Sequence, residues 1–257
     1  VIIINSVMFD FNLQELNNII ENKKIRTLFQ PIVNIKNGRI LGYEALSRGP
    51  AGTNLENPIR LFDSAKKHGK LFLLESICRE KALKRAHIFA GEYKLFINID
   101  PHVIYDTNFQ RGTTRQLLKH LSLSQQNIVI EITERTSIND FNTFKKALKH
   151  YRRQGYRIAL DDTGAGYSGL QSLVSIAFDY IKIDRSLISD IDRDKVKQAL
   201  LESLVQFGHK ISSSLIAEGV ERKEELDALN KLGVDYVQGY YIARPAEKIC
   251  KRVFNLF

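Results

Sequence analysis

Two hydrophobic rhythms alternate along the chain. Short runs rich in β-branched residues recur at 27–35, 40–45, 94–99, 127–132, 157–161, 180–183, 215–217 and 236–237, and each reads as a strand. Between them lie amphipathic stretches of helical period at 59–68, 71–89, 139–153, 193–212 and 222–232. Pro58 suits a first helical turn, while Gly155 and Gly233 suit helix ends. Lys36-Asn37-Gly38-Arg39 separates the first two strands. Asn-Gly between apolar runs predicts a hairpin and hence an antiparallel pair. Elsewhere the alternation predicts a parallel α/β sheet, either open or closed into a barrel. The 257 residues contain no Ser/Gly/Pro-rich linker, low-complexity tract or fixed-period repeat, and they match the length of one barrel. Residues 1–26 are expected to form a lead-in segment or helix, and 27–257 the barrel.

Composition narrows this picture only slightly. Lys plus Arg number 38 against 29 Asp plus Glu, a net charge of +9. That excess attracts anions in general. The basic residues are scattered through helical stretches with no separate arm or aromatic stripe, so a nucleic-acid polymer is not expected as a partner. The two cysteines, Cys78 and Cys250, show no metal or disulfide spacing, which fits a reducing, cytoplasmic setting. The opening Val1-Ile2-Ile3-Ile4 lacks Met and is too short to span a bilayer, so no membrane segment is expected in this chain. It reads as a tag remnant or as the cut end of a longer protein carrying an upstream sensory domain.

Chemistry gathers at the strand ends. Glu44, Asn98, Glu131, Asp161 with Asp162, Asp184 and Glu218 follow successive strands, at separations of 54, 33, 30, 23 and 34 residues. Most of these gaps are one strand–helix unit, so in a barrel the side chains would converge on one face. A single acid after a strand is ordinarily a helix cap. A converging set of carboxylates would repel one another unless a cation joined them. Glu, Asn and Asp oxygens suit Mg²⁺ or Mn²⁺ rather than zinc. Lys182 lies inside the strand run Tyr180-Ile181-Lys182-Ile183-Asp184 and shares side-chain parity with Asp184, so both should face the interior. Burying that lysine is costly unless it is paired. Asp161-Asp162-Thr163-Gly164-Ala165-Gly166-Tyr167-Ser168-Gly169 is a glycine-rich loop that matches neither the P-loop nor the dinucleotide fingerprint.

Taken together, these motifs resemble the EAL domain family. Tyr43-Glu44-Ala45-Leu46-Ser47-Arg48 carries the naming motif, and Phe29-Gln30-Pro31-Ile32 resembles the opening strand. Asn98-Ile99-Asp100-Pro101, Glu131-Ile132-Thr133-Glu134, Asp161-Asp162, Ile181-Lys182-Ile183-Asp184, Ala217-Glu218-Gly219-Val220-Glu221 and Gln238-Gly239-Tyr240 follow in the family's order. The resemblance implies a TIM-like (β/α) barrel with an antiparallel first strand pair. It also implies hydrolysis of cyclic di-GMP to linear pGpG with two Mg²⁺ or Mn²⁺ ions, and inhibition by Ca²⁺. Glu44, Asn98, Glu131 and Asp161 would hold one ion, and Asp161, Asp162 and Glu218 the other. Lys182 and Asp184 would orient the attacking water. Gln30, Leu46, Arg48 and Gln238 would contact substrate, and Glu134 would brace the glycine loop. A homodimer and an upstream sensory or GGDEF domain also follow from the resemblance. Thr163 stands where Phe is usual and Gly169 where Ser is common, which implies weaker apolar anchoring of the loop and low basal activity. The alternative is a non-hydrolysing cyclic di-GMP receptor, a class that usually lacks several of these ligands. None is lacking here.

Overall fold

The computed structural model describes residues 11–86, 91–109, 112–133, 141–164 and 177–257. Eight strands close a barrel in sequence order: β1 (Arg26–Asn34), β2 (Ile40–Arg48), β3 (Lys94–Asn98), β4 (Ile128–Thr133), β5 (Arg157–Thr163), β6 (Tyr180–Ile183), β7 (Ser214–Ala217) and β8 (Tyr236–Val237). β1 runs antiparallel to both neighbours, β2 and β8, and every other pair is parallel. The expected first-strand hairpin is present. Asn34 shapes its turn by accepting hydrogen bonds from Lys36 N and Asn37 N at 3.0 and 3.1 Å, and Gly38 takes φ +67°.

Helices α1 (Phe11–Glu21), α2 (Pro58–Lys67), α3 (Leu71–Ala86), α4 (Thr113–His120), α5 (Phe141–Arg153), α6 (Arg185–Ile188), α7 (Lys195–Lys210) and α8 (Lys223–Lys231) wrap the outside. α5 shows the logic. Phe144, Ala147, Leu148 and Tyr151 recur at helical spacing and are buried against the strands, while Lys146, Lys149, Arg152 and Arg153 meet solvent. α2 begins where the sequence suggests, with Pro58 in its first turn and the Asn57 side chain accepting from Ile59 N. α7 starts two residues later than its hydrophobic period implies, because Asp194 caps it by accepting from Val196 N at 2.9 Å. Short α4 and α6 carry too few apolar positions to stand out in the sequence.

Two apolar clusters among the described residues frame the barrel. One lies between strands and helices. The other fills the barrel with Ile32, Phe96, Val129, Ala159, Tyr180 and Ile216. This inner layer forms a dry floor, and the residue two positions further along each parallel strand sits one layer above it. On β3, β4, β5, β6 and β7 those residues are Asn98, Glu131, Asp161, Lys182 and Glu218.

β2 and β3 approach closely at Gly42. A Cβ on Gly42 would lie 2.2 Å from the Lys94 carbonyl oxygen, in the pair Gly42↔Lys94 that sets the register. Gly42→Ala should therefore lower stability by about 3 kcal/mol, the upper end for overpacking against rigid neighbours, measured as a drop in the urea midpoint. An unchanged midpoint would show that the two strands can separate freely at this point.

Candidate functional site

The layer above the floor is polar, with Glu44, Glu131, Asp161 and Lys182 buried and Asn98 exposed. Lys182, 1% exposed, places Nζ 2.6 Å from Glu131 Oε1, 2.8 Å from Glu218 Oε1, 2.9 Å from Asp161 Oδ1 and 3.5 Å from Glu44 Oε2. Asn98 Nδ2 donates to Glu44 Oε1 and Glu131 Oε2, both at 3.1 Å. Gln238 Nε2 donates to Glu44 Oε2 at 2.7 Å and to Gln30 Oε1 at 3.1 Å. Gln30 in turn donates to the Ala243 carbonyl. Strand parity thus delivers Asn98, Glu131, Asp161, Lys182 and Glu218 to one layer, as the sequence suggests, and Gln30 and Gln238 meet Glu44 at its edge.

Electrostatics in the layer are one-sided. Burial pulls the Lys182 pKa down, but Asp161, Glu131, Glu218 and Glu44 hold it well above the ordinary lysine value. Burial raises Glu131 and Glu218 well above the usual carboxylate range, and neighbouring acids add to the rise while Lys182 opposes it. Four carboxylates share one ammonium, so negative charge is left over. Glu131 Oε1 and Asp161 Oδ1 are buried and meet the ammonium at ion-pair distance without hydrogen-bond geometry. Their lone pairs remain available to a further cation.

Asp162 reaches the cluster by an exception to strand alternation. Parity would turn it away from Asp161. The register between β5 and β6 shifts between Leu160 and Thr163, and Asp162 adopts φ +55°, a left-handed conformation uncommon for residues other than glycine. Asp161, Asp162 and Glu218 consequently present oxygens within 4.8 Å of one another. An all-oxygen set of this kind, beside unsatisfied buried carboxylate oxygens, fits Mg²⁺ or Mn²⁺.

Asp184 is placed differently from Lys182. It lies at the N-terminus of α6 and accepts from Ser186 N at 2.9 Å, so it combines a cap with a position on the mouth. A cleft of about 280 Å³ opens there, lined by Gln30, Glu44, Leu46, Asp184, Glu218 and Gln238. Leu46 also borders a neighbouring cavity of about 490 Å³, whose walls include Arg48, Phe62, Leu71, Glu75 and Asp100. Arg48 is half-buried at that boundary and donates to the Ser47 carbonyl. Glu134 and 165–169 of the glycine loop lie outside the described residues. Thr163 belongs to strand β5 rather than to a loop: it pairs with Ile183, its carbonyl accepts from Asp184 N, and it is 4% exposed. The loop that this position was expected to anchor continues into 165–169, outside the described residues.

Sequence reasoning missed Glu75. It is buried on α3, accepts from Asp100 N at 2.9 Å through Oε1, and leaves Oε2 without a partner among the described residues. Burial pushes its pKa up to about 8. Its signal was available: Leu74, Glu75, Cys78 and Ala82 form one helical stripe, and an acid on an apolar stripe is out of place.

Two predictions follow from this charge arrangement. Removing the shared ammonium leaves its carboxylates uncompensated, so Lys182→Met should cost about 3–5 kcal/mol without added divalent metal. Mg²⁺ should restore part of the loss in thermal denaturation; a variant as stable as wild type would exclude the ion-pair account. For Glu75, the folded pKa of about 8 exceeds the ordinary glutamate value of 4.5, so the stability present below the lower value declines as pH rises towards the upper one. Glu75→Gln should flatten this decline in melting temperature between those two pH values. Parallel wild-type and variant curves would contradict the assignment.

Comparison with known proteins gives the family. A profile of the EAL domain matches residues 13–245. A probable cyclic di-GMP phosphodiesterase of Escherichia coli K12, PdeG, is 33% identical over 247 residues, covering 91% of this chain and 47% of its own length. The chain spans less than half the length of curated relatives it matches. Klebsiella pneumoniae BlrP1, solved with calcium and cyclic di-GMP, superposes with a TM-score of 0.82 at 31% identity, covering 89% of this chain and 57% of that one. A standalone EAL protein of Vibrio cholerae O395 in its cyclic di-GMP-bound form gives 0.75 at 34%, covering 86% and 92%.

Proposed function

The chain belongs to the EAL domain family, and from that premise we propose that it is a metal-dependent phosphodiesterase that opens cyclic di-GMP to linear pGpG. The observation that carries this reading is the complete oxygen-donor layer, with Asp161, Asp162 and Glu218 already within 4.8 Å of one another. Glu44, Asn98, Glu131 and Asp161 would hold one Mg²⁺ or Mn²⁺ ion, and Asp161, Asp162 and Glu218 a second. Such a pair supplies charge neutralisation at a phosphodiester and a lower pKa for water.

The chain's own residues complete the chemistry. The charged Lys182 ammonium offsets negative charge building on the phosphoryl oxygens. Asp184, held in place by Ser186 N, has a second oxygen at the mouth to take a hydrogen bond from the attacking water. Gln30 and Gln238 line the cleft beside Glu44, Arg48 pairs with a phosphate, and Glu134 braces the glycine loop. Leu46, between cleft and cavity, packs against the substrate, one base of which enters the 490 Å³ cavity. There Glu75 Oε2, without a partner among the described residues, meets the base's polar edge.

The reading extends to assembly and setting. Val196 and Leu200 are 79% and 45% exposed on one face of α7, an apolar stripe suited to a homodimer. Cys78 and Cys250 are free thiols, consistent with a cytoplasmic location. Among the described residues no helix is long and apolar enough to cross a membrane. The greater length of the relatives accommodates a sensory or GGDEF domain in the full protein.

Product chromatography after incubation with cyclic di-GMP tests the proposal. Mg²⁺ and Mn²⁺ should each support pGpG formation, whereas Ca²⁺, with longer bonds and looser geometry, should allow binding with little turnover. Glu44→Ala and Asp161→Ala should each lower turnover at least about 100-fold. Near-normal turnover in either variant at saturating metal would overturn the ligand assignment. Tight binding with no turnover in either metal would instead make the domain a receptor.

A further inference from the structure

A separate cavity of about 400 Å³ lies outside the barrel, between α3, α4 and the end of α5. Its walls are mainly apolar, with Phe72, Ile77, Phe109, Leu117 and Tyr151 among them. Two polar groups on those walls are poorly served. Tyr156 is 4% exposed, and its buried hydroxyl has no hydrogen-bond partner among the described residues. Arg79 is half-buried and forms no ion pair among the described residues, where its guanidinium reaches only the Ser76 hydroxyl at 3.4 Å. Glu80, the acid on this wall, is already held by Lys23 at 2.7 Å and by Lys84.

A half-buried fork of donors beside an orphan phenol, set among apolar walls, is the complement of a small anion with an apolar body. We propose that this cavity is an effector site for small aryl or alkyl carboxylic acids, with the carboxylate bound by Arg79 and the Tyr156 hydroxyl. Lys23 also lines the cavity but is paired with Glu80, so one guanidinium is left to match one carboxylate bidentately, whereas a phosphate dianion would leave charge unmatched.

The position of Arg79 gives the site its consequence. The residue lines both this cavity and the 490 Å³ cavity beside the barrel mouth. Its charge acts on Tyr151 and Tyr156 on one side and on Glu75 and Cys78 on the other. An acid that draws the guanidinium towards itself removes positive charge from beside Glu75. Occupancy therefore changes nucleotide affinity, and nucleotide changes acid affinity by the same factor. This coupling rests on the phosphodiesterase reading; the binding of acids does not.

Calorimetry on the whole chain, with 4-phenylbutyrate and octanoate as probes and 4-phenylbutanol and octanol as neutral controls, separates the two. Both acids should bind saturably and at least about 10-fold more tightly than the alcohols, the scale of one charge-assisted hydrogen bond. Tyr156→Phe should weaken the acids by about 10-fold while leaving the ligand-free melting temperature unchanged or higher, since it deletes an unpaired buried hydroxyl. Arg79→Gln should abolish the preference for acids. Absence of acid binding up to about 10 mM, equal binding of the alcohols, or unchanged affinity in Tyr156→Phe would each overturn the site. Saturating 4-phenylbutyrate should shift cyclic di-GMP affinity by at least about 5-fold in wild type and not in Arg79→Gln. Acid binding without that shift overturns the coupling. Absence of cyclic di-GMP turnover in a chain that still binds the acids overturns the phosphodiesterase reading and leaves the site standing.

Discussion

A single buried ammonium allows four carboxylates to occupy one layer of this barrel. Lys182 reaches Glu44, Glu131, Asp161 and Glu218 within 3.5 Å, at a depth where little water is left to screen them. Like charges this close repel by several kcal/mol even at an effective dielectric near 20. One positive charge cannot cancel four negative ones; burial raises the pKa values of Glu131 and Glu218, and the neighbouring acids raise them further against the opposing pull of Lys182. The amides of Asn98 and Gln238 help by donating to carboxylate oxygens without adding charge. The layer is thus built to accept more cation than the chain itself supplies.

The scaffold imposes this concentration of charge through simple geometry. Phe96, Val129, Ala159, Tyr180 and Ile216 fill the floor. A step of two residues along each of those strands can only arrive one layer higher, where Asn98, Glu131, Asp161, Lys182 and Glu218 stand. The apolar floor excludes water from below, so the charges above it interact strongly. Asp162 is the one member that needs more than alternation. A register shift and a left-handed residue bring it round, and that local strain sits beside the chemistry, where barrels commonly carry irregularities.

Much of this was legible in the sequence because alternation and strand ends are local properties. The eight strand runs agree with the structure to within a few residues, and Asn37-Gly38 correctly marked the reversed pair. The convergence of Glu44, Asn98, Glu131, Asp161, Lys182 and Glu218 was readable for the same reason. What escaped was non-local or conditional. The reach of Asp162 depends on a β-bulge that no composition signals. Asp184 reads as an interior acid by parity, yet it also caps a four-residue helix too short to leave a period. Thr163 reads as the start of a loop, whereas pairing with Ile183 draws it into the sheet. Glu75 was hidden by its own helix, where one acid among leucines is easily taken for surface.

The reversed first strand gives the barrel a mechanical asymmetry. In an all-parallel barrel, chain leading into the first strand arrives at the face opposite the catalytic loops. Here Arg26 pairs with Arg48 at the open end of β2, so β1 begins at the same rim that carries the carboxylates. α1, just before it, seats Leu16 and Ile19 in a patch shared with Leu61 of α2 and with Leu74 and Ile77 of α3. A torque applied at α1 would act directly on the helix that bears Glu75 and Arg79, with no need to pass through the stiff body of the sheet. The fold places its handle and its working edge at the same end.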